Sequence, residues 1–256
     1  MNFGSTVQAT RRSLGLLRSL MIYYGKPFQL QRMARFYRDL IAPGDLCFDV
    51  GAHVGNRIAV WRRLGARVVA VEPQPHCLAL LRRLYGRDPG VTLVGEAVGA
   101  TADRLPLHIS AANPTVSTLS PTWMAAVKQA DSFAAVQWDE ATAVDVTTLD
   151  ALIDRFGVPA FCKIDIEGYE AEALAGLSHP LRLLSFEYVP AASDPALSCV
   201  ARLQHLGDYR FNWFVGETHR MQRPEWTSAA ELVAFLRNLA PDAPSGDIFA
   251  RRADQA

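Results

Sequence analysis

The chain has 256 residues, of which half are hydrophobic and a fifth are charged. This composition is typical of a folded globular protein and excludes a disordered chain, a collagen and a coiled-coil rod. Because the 26 basic and 26 acidic residues cancel, a nucleic-acid-binding protein with a globally basic surface is disfavoured.

Residues 1–40 predict a helical arm. A basic pair precedes an apolar run that is too short to cross a bilayer, which needs about 20 apolar residues. Four apolar side chains of this run share one face of the predicted helix: Leu14, Leu17, Leu20 and Met21. Such a face indicates either a helix docked on the rest of the protein or a helix that lies on a membrane surface.

From residue 45 onwards, short apolar runs alternate with helical segments of about ten residues. The predicted strands are 45–50, 67–71, 91–94, 105–110, 144–147, 161–164, 183–188, 209–214 and 247–251. This alternation predicts right-handed βαβ units and a parallel sheet. Residues 111–143 show no clean period and predict a loop-rich insertion within one α/β domain that covers residues 41–256.

The four cysteines are scattered and form no C-x-x-C pair. This spacing favours neither a zinc site nor a disulfide framework. Cys47 and Cys162 fall inside apolar runs, where a reduced cysteine acts as a small hydrophobic side chain. We therefore expect a reducing compartment and a cytoplasmic location.

The first predicted strand leads into a glycine-containing turn, FDVGAHVGN at residues 48–56. Gly51 follows the strand and Gly55 opens the next helix, where glycines let the backbone approach a ligand closely. Their G-x-x-x-G spacing differs from the dinucleotide fingerprint, so a nicotinamide-dependent oxidoreductase is disfavoured. Asp49 lies just before the turn, where a carboxylate suits a cationic ammonium better than a phosphate.

Glu72 ends the second predicted strand, about 20 residues after the glycine turn. A carboxylate at this place can accept hydrogen bonds from both ribose hydroxyls of an adenosine-type cofactor. After the third strand, Glu96 could accept from the exocyclic amine of an adenine, and the backbone of Ala97 could meet the edge of the ring. The sequence therefore predicts an adenosine-binding site.

Three segments resemble the FkbM-type family of class I S-adenosylmethionine-dependent methyltransferases: FDVGAHVGN at 48–56, VDVTTLDAL at 144–152 and KIDIEGYEAEALAG at 163–176. The resemblance covers roughly residues 44–190. It implies a Rossmann-like α/β fold with a seven-stranded, mostly parallel sheet, an antiparallel last strand and flanking helices. It also implies S-adenosyl-L-methionine as the cofactor, held by Asp49, Gly51, His53, Gly55, Asn56, Glu72, Glu96 and Ala97.

Known members of this family include O-methyltransferases that act on natural products and glycans. The resemblance therefore implies a hydroxyl on a small molecule or glycan as the methyl acceptor, with no nucleic-acid partner. Ser117 and Thr118 match a serine-containing segment that is common in the family, and we expect them to contact the acceptor. N-methylation of a small amine stays open.

Two carboxylates follow the strand at 161–164, and parallel strands present their carboxyl ends to ligands. Asp165 is the first candidate for positioning the acceptor or accepting its proton, and Glu167 is the second. Each could instead cap the following helix. His53, beside the cofactor turn, is a third candidate for the base.

Glu187 ends the next strand at the same edge of the sheet and is expected to contact the acceptor. Together with Asp165 and Glu167 it could bind a divalent cation, although we predict a site without metal. Two other functions stay open. A catalytically inactive domain could bind the cofactor or a partner, and a nucleic-acid methyltransferase is disfavoured because no N-P-P-Y or D-P-P-Y element is present.

Overall fold

The computed structural model describes residues 3–255, with side chains described from residue 11 to residue 254. The helices are α1 (Phe3–Tyr24), α2 (Gln29–Arg38), α3 (Asn56–Arg63), α4 (Pro75–Tyr85), α5 (Pro121–Val127), α6 (Leu149–Phe156), α7 (Glu170–Ala175), α8 (Asp194–Leu206) and α9 (Ala229–Arg237). The strands are β1 (Leu46–Val50), β2 (Arg67–Val71), β3 (Val91–Val94), β4 (Ala97–Val98), β5 (Asp103–Ile109), β6 (Glu140–Thr147), β7 (Phe161–Ile164), β8 (Leu183–Tyr188), β9 (Tyr209–Val215) and β10 (Gly246–Arg252).

Seven strands form the main sheet in the order β3-β2-β1-β7-β8-β10-β9. β1 pairs in parallel with β2 and with β7, whereas β10 runs antiparallel to both of its neighbours. Every residue of β1 and β7 is buried, as expected for central strands that helices cover on both faces. The predicted fold, with its antiparallel last strand, is confirmed.

A second, three-stranded sheet in the order β4-β6-β5 lies outside this arrangement. Its longest pairing is antiparallel and joins β5 to β6, with Leu105 opposite Val144. The sequence analysis predicted a strand only at 144–147. The first half of β6 was missed because its residues alternate between partly exposed and fully exposed and do not form an apolar run. Both strands were expected, but their pairing across the insertion was not.

The insertion also contains a short helix, α5, that the sequence analysis did not predict. The Ser120 side chain caps it by accepting from the backbone N–H of Trp123, and Pro121 occupies its first turn. Proline and serine at these positions favour a helix start. Trp123 is buried and its ring lies edge-on to Trp138 and Phe133, so the insertion has a small apolar core of its own.

The α2 helix, which lies within the predicted arm, packs on the α/β core. Tyr37 is buried and packs edge-on against Trp61 of α3, with its ring also close to Phe161 of β7. Met33 belongs to the same apolar cluster. α2 is therefore part of the α/β core, and a domain that began after residue 40 would lose these contacts.

The α1 helix docks on the insertion through small residues and not through its leucines. Gly15 and Ser19 face the protein, and a β-carbon at Gly15 would overlap the carbonyl oxygen of Ala111. Arg12 donates to both carboxylate oxygens of Glu140, at 2.9 Å from Nε and at 2.6 Å from Nη2. Leu14, Leu17 and Met21 are exposed and Leu20 is only partly buried, so the apolar face is not the side by which the helix docks.

Among the described residues, no helix combines the length and the apolar character needed to span a bilayer. All four cysteines are buried and free.

Candidate active site

A cleft at the carboxyl ends of β1, β2, β7 and β8 contains about 1320 Å³ of empty space, part of it open to solvent. It collects most of the predicted site residues on its walls: Gly51, His53, Asn56, Glu72, Ala97, Ser117, Thr118, Asp165, Glu167 and Glu187. Asp49, Gly55 and Glu96 are not among the residues that line it. Ligand pockets in open parallel sheets occur at this edge.

Gly51 brings the turns after two strands together. Its φ of +86° is in the left-handed region, and a β-carbon there would overlap the carbonyl oxygen of Asp165. Its N–H donates to Val71 at the end of β2, at 2.9 Å. Glycine is required here because no other residue combines this conformation with so close a backbone approach.

Glu72 is buried at the end of β2 and lines the cleft. Its two carboxylate oxygens accept backbone N–H bonds from His53 at 2.7 Å and from Gln74 at 2.8 Å. Burial raises the pKa of Glu72 to about 7, although the two N–H donors lower it. Because each oxygen has a second lone pair, the carboxylate keeps the capacity to accept from two ribose hydroxyls.

Arg57, in the first turn of α3, is a site residue that the sequence analysis missed. Its guanidinium donates to Asp49 at 2.8 Å and to Asp165 at 2.7 Å. Burial would raise the pKa of Asp165, but the charges of Lys163 and Arg57 outweigh it and lower that pKa. The signal in the sequence is that Arg57 directly follows the glycine turn. This position puts it near the carboxyl ends of β1 and β7, where Asp49 and Asp165 lie.

Lys163 lies in the middle of the buried β7 strand with no exposed side-chain surface. Its ammonium donates to Asp247 of β10 at 2.8 Å and lies 3.5 Å from Asp165. The two carboxylates raise the pKa of Lys163 despite its burial. The charge on the lysine therefore holds Asp165 in its ionised form.

Glu167 lines the cleft from a strained bend. Its φ is 55° and that of Gly168 is 81°, and the ring of Trp123 leaves no room for a β-carbon at Gly168. The Thr118 hydroxyl donates to the Glu167 carbonyl at 2.6 Å. Two successive left-handed residues are uncommon outside such supported turns.

Carboxylate oxygens of Asp165, Glu167 and Glu187 all lie within 4.8 Å of one another. Burial, followed by the charge of its neighbours, raises the pKa of Glu167 and of Glu187 well above the ordinary range. One oxygen of Glu187 has no hydrogen-bond partner among the described residues. The two glutamates thus form a protonatable pair beside a carboxylate that stays ionised.

His53 is a weak candidate for the base. Burial and the charge of Arg57 lower its pKa to about 4, so the imidazole is neutral and weakly basic near pH 7. Neither ring nitrogen has a hydrogen-bond partner among the described residues, and the ring lies edge-on to Tyr23. Tyr23 belongs to α1, so the arm forms part of the wall of the cleft.

The structure gives less support to the roles predicted for Glu96 and Ser117. Glu96 pairs with Arg155 at 2.6 Å and lies outside the lining of the cleft. Ser117 donates to Gln74 and to the Pro114 carbonyl, each at 3.0 Å. The roles of Glu96 in binding adenine and of Ser117 in binding the acceptor stay predictions.

Sequence reasoning also missed several cleft residues that come from distant parts of the chain. They are Tyr23, Met33 and Tyr37 from the arm, and Phe214, Glu217 and His219 from β9 and the segment that follows it. No local sequence pattern predicts that these residues line the cleft.

The sheet order, the glycine turn and the acidic residue at the end of β2 define a class I methyltransferase fold. The chain belongs to the FkbM methyltransferase family, since the family model described as a methyltransferase FkbM domain matches residues 49–239. Its cofactor is S-adenosylmethionine. No curated protein matches the chain.

Solved structures are similar at low identity. A TehB-like SAM-dependent methyltransferase from Corynebacterium glutamicum is 10% identical, with a TM-score of 0.48, over 98% of this chain and 100% of the other. A precorrin-6Y C5,15-methyltransferase from Geobacter metallireducens is 14% identical, with a TM-score of 0.46, over 86% and 88%. A putative methyltransferase from Streptococcus mutans in complex with SAH is 13% identical, with a TM-score of 0.40, over 88% and 97%.

The residues present fit this cofactor. One oxygen of the buried Asp49 has no hydrogen-bond partner among the described residues, and a carboxylate is the group that would receive an amino-acid ammonium. Glu72 offers its remaining lone pairs for ribose hydroxyls. Gly51 and Ala97 line the cleft together with Glu72, whereas Asp49 is fully buried in β1 behind the glycine turn and does not itself line the cleft.

Proposed function

We propose that this methyltransferase transfers the methyl group to a hydroxyl of a small molecule or glycan. The observation that supports the proposal is the Glu167–Glu187 pair: both residues line the cleft, their carboxylate oxygens lie within 4.8 Å of each other, and the pKa of each is raised by burial and by its neighbours' charge. A hydroxyl nucleophile must lose its proton during transfer, and a base titrating near the working pH is the most effective.

The protein has little covalent chemistry to perform, because the sulfonium of S-adenosylmethionine supplies an already activated methyl group. Asp49 and Glu72 would hold its amino-acid and ribose parts. The residues of the cleft would position the acceptor oxygen towards the bound methyl donor and keep water out.

The roles of the acidic residues differ from the order expected from the sequence. Asp165, with its lowered pKa and its pairs to Arg57 and Lys163, is a poor proton acceptor. It is better suited to receive a hydrogen bond from an acceptor hydroxyl. Glu167 or Glu187, once deprotonated, takes the proton.

The test compares cofactor binding with turnover. Purified protein is titrated with S-adenosylhomocysteine by calorimetry, and labelled S-adenosylmethionine is incubated with panels of hydroxyl-bearing glycans and small molecules. Glu167→Gln and Glu187→Gln should keep S-adenosylhomocysteine affinity within about threefold, and the variant that removes the proton acceptor should reduce kcat by about 10²–10⁴, the usual range for a general base. Glu72→Ala should instead weaken binding by about 1.5–3 kcal/mol.

Activity of the unmodified protein should rise with pH as the glutamate pair loses its proton, and this rise should vanish in the variant that removes the proton acceptor. Full turnover by both variants would refute the base assignment. A loss of turnover in EDTA that Mg²⁺ restores would assign the three carboxylates to a cation instead. Transfer to RNA or DNA in place of hydroxyl compounds would overturn the acceptor class.

A further inference from the structure

The arm has a charge that the rest of the chain does not share. Residues 1–40 contain seven arginines or lysines and a single acidic residue, Asp39, although the whole chain has no net charge. The remaining residues therefore carry the compensating negative charge. Such an asymmetry along a chain indicates an interaction of its basic part with an anionic partner.

The same arm exposes most of the large apolar side chains that the described residues present to solvent. Leu14, Leu17 and Met21 on α1 are 60%, 54% and 67% exposed, and Phe28 in the turn before α2 is 70% exposed. At 3.6 residues per turn, the three α1 side chains fall within an arc of about 60°. They form one continuous face, which we call the apolar face of α1.

This face is available while α1 stays docked. The helix is attached by its opposite side, through Gly15, Ser19 and the bonds of Arg12 to Glu140. A partner can thus cover the apolar face without displacing α1 from the insertion or Tyr23 from the cleft.

Basic side chains accompany the apolar face. Arg11 and Arg18 are exposed beside it on α1. On α2, Arg32, Arg35 and Arg38 are exposed at a spacing of three residues and form no ion pair with any described residue. Arginines can extend their guanidinium groups towards polar headgroups while apolar neighbours lie deeper.

We propose that the arm binds the surface of an anionic lipid bilayer, with the apolar face of α1 and Phe28 inserted at the level of the headgroups. A helix with an apolar stripe and only basic charges is typical of interfacial membrane binding. A second copy of the chain is a poorer occupant, because it would bring two positively charged arms together. A nucleic acid would engage the arginines and leave the apolar face uncovered.

The experiment uses the full chain and sedimentation with vesicles of phosphatidylcholine alone or with 30% phosphatidylglycerol, at 0.1 M salt. The protein should sediment with the anionic vesicles and bind the neutral ones at least tenfold more weakly. The double variant Leu17→Glu/Met21→Glu should lose at least tenfold in affinity. The triple variant Arg32→Gln/Arg35→Gln/Arg38→Gln should lose a similar factor.

A matched control is available in Leu84→Glu/Val158→Glu. These residues are 51% and 65% exposed but lie outside the arm, so the control should bind as the unmodified protein does. Circular dichroism and S-adenosylhomocysteine titration of each variant show that the fold and the cleft are intact.

Three results would overturn the proposal. The first is no sedimentation with anionic vesicles, or equal sedimentation with neutral ones. The second is a dimer in light scattering that Leu17→Glu/Met21→Glu dissociates, which would assign the face to a second copy. The third is RNA binding that the triple arginine variant loses and the Leu17→Glu/Met21→Glu variant keeps, while both variants bind vesicles as the unmodified protein does.

Discussion

Arg57 joins two carboxylates that are far apart in the sequence and that would otherwise repel each other in the same buried site. Asp49 is the penultimate residue of β1, Asp165 follows β7, and the guanidinium lies between them. Burial raises the pKa of Asp49, whereas Arg57 lowers it. An arginine suits this place because its planar fork can donate to both partners at once and stays charged.

Replacing Arg57 by glutamine should destabilise the protein by about 3–5 kcal/mol, the usual result of removing one partner from a buried ion network. Chemical denaturation at pH 7 measures the loss. Arg63→Gln, an exposed position on the same helix, is the control and should change the unfolding free energy by less than about 0.5 kcal/mol. A change of similar size in both variants would contradict the assigned role of Arg57.

At the scale of secondary structure, the bounds of strands were predicted most accurately where every residue of the strand, or nearly every one, is buried. β1, β2, β7 and β8 are apolar runs bounded by turn residues, and the predicted bounds match within one residue. The small sheet of β4, β5 and β6 was not predicted as a sheet, because strand pairing across an insertion depends on contacts that no local pattern encodes. α5 was missed because seven residues are too few to show a helical period.

The attachment of α1 depends on close approach at one glycine. Gly15→Ala should weaken docking by about 1–2 kcal/mol because the added methyl group overlaps the Ala111 carbonyl, whereas alanine alone would favour the helix by about 1 kcal/mol. Trypsin should then cut after Arg11, Arg12 or Arg18 several-fold faster than in the unmodified protein.

Leu14→Ala, on the exposed face of α1, serves as the comparison and should be cut at the original rate. Unchanged proteolysis of Gly15→Ala would show that α1 is not held by this approach. Because Tyr23 of α1 lines the cleft, release of the helix should also change the affinity for S-adenosylhomocysteine.

At the scale of the whole molecule, the sequence predicted several residues that the structure collects in one cleft at the edge of the sheet, but it did not predict all the residues that line that cleft. Glu72 and Asp165 were found because each follows a recognisable strand, and strand ends meet in a parallel sheet. Asp247 and Tyr23 reach the same region from opposite ends of the chain. Their approach follows from the position of β10 and from the docking of α1, which are long-range consequences of packing.

The stability of the molecule should carry a pH dependence that comes from its buried acids. Glu170 is buried at the start of α7, where one of its oxygens accepts the N–H groups of Ile166 and Gly168 at 3.0 and 3.2 Å. Burial raises its pKa from the ordinary 4.5 to about 7. Between these two values the folded state holds a proton that the unfolded state has released, so this group lowers the unfolding free energy as pH rises.

Glu170→Gln keeps a carbonyl oxygen that can accept both hydrogen bonds and removes the charge. The variant should therefore gain stability relative to the unmodified protein as pH rises from 5 to 8, by about 2 kcal/mol, and the difference should level off above pH 7. Urea denaturation at several pH values measures it, with the exposed Glu172→Gln on the same helix as control. A difference that is constant with pH would mean that Glu170 is ionised throughout the range, and the buried charge would then be compensated by a partner other than the two backbone donors.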